Sequence, residues 1–219
     1  MAIEFDHLVV AARTLEEGAA WVESRLGAAM SAGGKHAAMS THNRLLSLGP
    51  GRFLEVIAID PDAPPPGRAR WFELDEPAMQ ERLARGPALV HWVARADDLE
   101  DAIAATAAGR PEILALSRGD FRWRIGVPAS GHLALGGACP TLIRWEGAHP
   151  ADRLPESGCR LERLTLRHPE APALLRVLAA HGLDAGAPID ASPRGRGLAA
   201  QLRTPRGILV LGEEDGPAP

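Results

Sequence analysis

The chain has 219 residues, 46% of them hydrophobic and 24% charged, ordinary for a globular protein with a sizeable core. Its net charge of −4 gives no electrostatic reason to expect nucleic acid or an anionic membrane as a partner. No apolar run approaches the roughly 20 residues of a membrane span, and Met1–Asp6 has no basic, signal-like start, so a cytoplasmic location is expected.

Residues 3–12 form a mostly apolar strand. Thr14 with Glu17 three residues on is a capping-box pattern, and Leu15, Ala19, Val22 and Leu26 recur at helical spacing until Gly27. Ser31–His36 reads as a glycine-rich loop. Asn43–Leu48 and Arg52–Ile59 are strand-like and joined by Gly49-Pro50-Gly51, a turn signal. Asp60–Gly67 is proline-rich and reads as a surface loop, and residues 75–85 as a short helix stopped by Gly86-Pro87.

The pattern then restarts. Ala88–Ala94 is a strand, and Asp97 with Glu100 opens a helix predicted to run to about Ala108 and end at Gly109. Ile113–Leu116, Phe121–Val127 and Thr141–Trp145 are strand candidates. After Gly158 a third round follows: strand Leu161–Leu166, helix 170–181, then Pro188–Asp190, Leu198–Arg203 and Ile208–Leu211. The reading is an α+β chain of repeated βαβββ modules at 1–60, 88–148 and 158–212. A proline-rich linker with a short helix spans 61–87, and a polar tail spans 213–219. Such modules are expected to pair into curved mixed sheets with helices outside and a concave pocket.

Ionisable groups inside apolar strands are costly to bury unless paired, hydrogen-bonded or metal-bound. His7 and His91 hold the same place in two first strands, and Glu55 lies in Phe53-Leu54-Glu55-Val56-Ile57. Alternation puts Ile3, Phe5, His7 and Val9 on one face, Phe53, Glu55 and Ile57 on one, and Leu89, His91 and Val93 on one. Two histidines and a carboxylate are what a divalent metal site needs; hydrogen-bonded core histidines are the plainer reading. Arg144 occupies the place expected to match Glu55. It can bind an anionic substrate group or pair with Glu55 itself. His36, His42 and Asn43 sit in or after the glycine-rich stretch and can line the pocket or serve turn chemistry. Trp123 is a pocket wall or ordinary packing. His132, His149, His168 and His181 lie in loop-like surroundings and read as solvated. Cys139 and Cys159, the only cysteines, match no zinc or redox spacing.

Asp6-His7-Leu8-Val9-Val10, Gly33-Gly34-Lys35-His36, Ser40-Thr41-His42-Asn43, Phe53–Ile57 and Pro140–Trp145 together make the chain resemble the vicinal oxygen chelate superfamily. More narrowly it is similar to the bacterial glyoxalase-like domain proteins. The resemblance covers about residues 3–150 and implies paired βαβββ modules. It also implies a divalent metal (Zn, Ni, Fe, Mn or Co) on His7, Glu55 and His91 and a small-molecule substrate, for which Asn43, Arg144 and Trp123 are the candidate contacts. His42 or His36 would be the acid–base group, the reaction of isomerase, lyase or dioxygenase type, and a homodimer a common assembly. A metal-free binding or drug-sequestering protein is the alternative that the resemblance also implies.

Overall fold

The computed structural model describes residues 2–106, 111–183 and 188–212. The predicted end of the second helix at Ala108–Gly109 and the tail at 213–219 lie outside the described residues. The first module is β1 (Ile3–Ala11), α1 (Leu15–Leu26), β2 (Ser31–His36), β3 (Thr41–Ser47) and β4 (Phe53–Ile59). A linker carries α2 (Pro77–Ala84). The second module is β5 (Ala88–Ala96), α3 (Leu99–Thr106), β6 (Glu112–Arg118), β7 (Phe121–Val127) and β8 (Thr141–Trp145). The third segment is β9 (Arg160–Arg167), α4 (Ala171–Ala180), β10 (Ile189–Ser192), β11 (Gly197–Thr204) and β12 (Gly207–Leu211).

The first two modules join through antiparallel β1 and β5 into one eight-stranded sheet, ordered β2-β3-β4-β1-β5-β8-β7-β6. The sheet curls until its two edges meet: a Cβ on Gly34 of β2 would lie 2.7 Å from Arg118 Cδ of β6. The third segment has the same chain order, but its first strand lies inside a separate sheet ordered β10-β9-β11-β12.

α1 begins as the capping pattern predicts, with Thr14 Oγ1 accepting from Glu17 N–H at 3.2 Å, and ends at Gly27 in the left-handed conformation. Its inner face packs on the convex side of the sheet beside Leu8, Val10, Leu54 and Val56. Val22 and Leu26 are fully buried there, each contributing about 1.5–3 kcal/mol. Gly18 lets the helix sit close, because a Cβ there would come within 2.5 Å of Val56 Cγ1. α3, α4 and the inner face of the third sheet extend the same core. Cys139 and Cys159 are buried in it as free thiols, and burial pushes the Cys139 thiol up to about 12.

The concave face holds a second core of Val9, Ala11, Ile57, Val93, Ile125 and Ile143. Part of it is covered by the linker: a 3-10 turn at Trp71–Glu73 inserts Trp71 and Phe72, and α2 adds Met79 and Leu83. Phe72 has φ +59°, a left-handed conformation that costs a bulky residue about 1–3 kcal/mol. Burial of its ring in the concave core offsets that cost. Among the described residues, no helix is long and apolar enough to cross a membrane.

Candidate active site

Local structure departs from simple alternation at two bulges. One in β1 falls between Phe5 and His7, and one in the β1–β5 pairing falls between Val9 and Val10. The first sends Phe5 into the convex core with Leu8 and turns Asp6 toward the same side as His7. The second puts Leu89 in the convex core while Val90 and Val93 join the concave one. The expected common faces Phe5–His7 and Leu89–His91 therefore break, since a one-residue shift in a strand reverses every side chain beyond it.

Asp6 is fully buried and accepts three hydrogen bonds. They come from His7 Nδ1 at 2.6 Å, Trp145 Nε1 at 3.0 Å and His149 Nε2 at 2.9 Å. Burial alone would raise its pKa; the bonds from His149 and His7 outweigh that and hold the carboxyl well below its usual range. His149, expected in solvent, is thus a structural donor, and its Nδ1 accepts from Ala151 N–H at 3.1 Å, which places its proton on Nε2.

With Asp6 accepting at Nδ1, the nitrogen that His7 presents to the cleft is Nε2, 3.7 Å from Glu55 Oε2. The imidazole stacks on Phe53 at 4.3 Å between centroids. Asn43 Nδ2 donates to Glu55 Oε1 at 2.6 Å and lies 3.3 Å from His36 Nε2, while Asn43 Oδ1 accepts from Gly34 N–H at 2.9 Å and Arg118 Nη1 at 2.6 Å. Accepting at Nε2, His36 carries its proton on Nδ1, 3.1 Å from Thr41 Oγ1. Burial, then the Arg118 charge, push the His36 pKa down to about 3, so it is neutral near pH 7.

These groups line a cleft of about 400 Å³ whose walls are Trp71, Phe72, Trp123, Trp145, Ile125 and Ile143. The sequence-predicted His7, Glu55, Asn43, His36 and Trp123 all meet there. His42 does not line it; its strand partner is Ala58 of the convex core, opposite in face to Asn43. Arg144 is exposed on the outer face of β8. The guanidinium in the cleft is that of Arg118, from a strand whose sequence gave no sign of it.

His91 lines a neighbouring cavity of about 550 Å³. Its Nε2 is 3.0 Å from both the N–H and the Oγ1 of Thr141, and Phe72, which borders both cavities, lies 5.3 Å away ring to ring. Burial depresses its pKa to about 3. The register explains the difference between the modules. Glu55 pairs with Val9, two residues after His7, and Thr141 pairs with Val93, two residues after His91. Thr141, not Arg144, stands where Glu55 stands.

For a divalent metal, His7 Nε2 and Glu55 Oε2 converge, but His91 Nε2 is engaged by Thr141. Among the described residues, no three His, Cys, Asp or Glu side chains come together as a ligand set. The expected three-donor set does not fit one ion. The Asp6–His7 arrangement, a buried carboxylate fixing one ring nitrogen and freeing the other, suits proton transfer directly.

Two βαβββ modules closing a curled sheet over a polar cleft define a fold of the vicinal oxygen chelate type. The model of the glyoxalase-like domain family matches residues 5–182, and the chain belongs to that family. In structure it is similar to a hypothetical protein from Staphylococcus aureus at 11% identity, covering 100% of this chain and 88% of that one with a TM-score of 0.55. It is also similar to methylmalonyl-CoA epimerase from Mycobacterium tuberculosis at 17% identity (66% of this chain, 87% of that one, TM-score 0.41). A third likeness is to a hypothetical protein from Bacillus halodurans at 11% identity (68% of this chain, 96% of that one, TM-score 0.41). No curated protein matches the chain in sequence.

Proposed function

We propose that the cleft is the active site of an isomerase- or lyase-type enzyme that moves a proton on a small oxygenated metabolite through an enolate or oxyanion. The observation that carries this reading is the Asp6–His7 pair, whose free Nε2 faces the cleft 3.7 Å from Glu55 Oε2. His7 Nε2 takes the proton from carbon, Asp6 stabilises the imidazolium that forms, and Glu55, held by Asn43, accepts that proton from His7 and delivers it to the enolate. His36 is buried, neutral and bonded on both nitrogens, so it positions Asn43 rather than exchanging protons.

The aromatic walls favour a second reading, a binding protein without turnover. Proton exchange into 2-oxo acids and 1,2-dicarbonyls in D2O, followed by NMR, separates the two. Exchange above background that is lost in His7→Gln supports the enzyme; saturable binding with no exchange for any compound supports the binder. Metal analysis of protein purified without chelators belongs in the same series. A stoichiometric ion lost in both His7→Ala and Glu55→Gln would show that both donors hold it and would give these residues a metal-binding role in place of simple proton transfer.

A further inference from the structure

Arg118 ends β6 and lays its side chain over Gly34, where a Cβ would come within 2.7 Å of Arg118 Cδ. Its Nη1 donates to Asn43 Oδ1 at 2.6 Å. Among the described residues, that is its one hydrogen bond, and no carboxylate forms an ion pair with it. Two other arginines of this module do have a carboxylate partner, Arg95 in Glu4 and Arg124 in Glu100. Burial strips Arg118 of hydration that no anion of the protein returns, and Glu55 acts on it only at longer range. A half-buried guanidinium with an unused edge, in a cleft, is a site for an oxyanion.

The rest of the cleft restricts which oxyanion. Trp123, Trp145, Ile125 and Ile143 form an apolar wall beside Arg118. Glu55 lies in the same cleft, so a dianion meets a second negative charge that a monoanion tolerates better. We propose that the cleft takes a monoanionic carboxylate bearing an apolar, ring-sized body, with the carboxylate on the free edge of Arg118 and the body against Trp123 and Trp145. The ligand's reactive carbon then falls toward His7 and Glu55, which ties this assignment to the proton-transfer reading.

Phenylpyruvate is the probe, titrated against the intact protein by tryptophan fluorescence and ligand-observed NMR. Its neutral amide, phenyl phosphate and pyruvate serve as controls for the charge, the second charge and the ring. Saturable binding of phenylpyruvate is expected, weakened about tenfold or more in Arg118→Met and partly restored in Arg118→Lys, which keeps charge but not the fork. The amide, phenyl phosphate and pyruvate are each expected to bind more weakly than phenylpyruvate. Thermal unfolding of each variant separates lost binding from lost fold. Equal binding by Arg118→Met, equal binding of the amide, tighter binding of phenyl phosphate, or no saturation by phenylpyruvate at millimolar concentration would overturn the assignment. Arg118-dependent binding without proton exchange leaves the assignment standing and removes the proton-transfer reading. Exchange that is unchanged in Arg118→Met does the reverse.

Discussion

Thr141 holds in the second module the register position that Glu55 holds in the first, and each faces the histidine of its own module. The repeat has therefore kept its geometry and divided its chemistry. One copy offers a carboxylate beside a histidine, and the other engages its histidine at Nε2 with a hydroxyl and a backbone N–H. Thr141→Glu is expected to raise the His91 pKa from its depressed value near 3, because an adjacent negative charge favours the imidazolium. An NMR titration of the ring reads this directly. Thr141→Val, which keeps the backbone bond, is expected to cost only about 1 kcal/mol in denaturant unfolding.

Asp6 is the second test. Asp6→Asn has one carbonyl oxygen for three donors and leaves buried N–H groups on His7, His149 and Trp145 competing for it. A loss of about 3–5 kcal/mol is expected, in line with breaking a buried charged network. Because the folded-state pKa lies below the ordinary value of 3.8, Asp6 contributes stability that is present above that pH and is lost as pH falls through the folded value. Acid unfolding of Asp6→Asn should lack that component below pH 3.8, whereas an unchanged acid limb would show that Asp6 is not held ionised.

His36 and His91 act over a different range. Each titrates near 3 when folded and near 6.5 as a free side chain, so between those values the unfolded chain binds protons that the native state refuses. Stability is full above pH 6.5 and falls on acidification, with a slope near about 1.4 kcal/mol per pH unit for each histidine. Replacing His36 by Asn or His91 by Gln is expected to flatten the slope between pH 4 and 6 by about that amount, measured by urea unfolding at several pH values.

Much of the first module was legible in the sequence. Thr14, Glu17 and Gly27 bound α1 as their chemistry predicts, and His7, Glu55, Asn43 and His36 meet because strand alternation and a short hairpin bring them together. What could not be read depends on register and on distant chain. The bulge that turns Asp6 inward has no signature in Phe5-Asp6-His7. The β5–β8 register decides that Thr141 rather than Arg144 matches Glu55. Arg118 reaches Asn43 from 75 residues away, a contact that only curling of the whole sheet creates. Ser31–His36 looks like a loop because of its glycines, yet it is an edge strand whose glycines make room for other groups.

The two glycines of that strand have separable tasks. A Cβ on Gly33 would lie 2.2 Å from both the backbone oxygen and the Oδ1 of Asn43, whereas one on Gly34 meets only the movable Arg118 side chain. Gly33→Ala is expected to destabilise by about 1–3 kcal/mol through forced backbone movement. Gly34→Ala should unfold near the wild-type midpoint but lose carboxylate binding by displacing Arg118. The reverse ranking, by thermal unfolding and phenylpyruvate titration, would count against the placement of Arg118.

The linker turn at Trp71 and Phe72 divides the concave face into two chambers, one carrying His7 and the other His91. The sheet supplies the reactive groups, yet a segment outside both modules fixes how much room each ligand has. Changes confined to residues 68–74 are therefore expected to resize the chambers while the strands and their histidines stay as they are. The size of each chamber and the ionisable groups within it are set by separate stretches of chain.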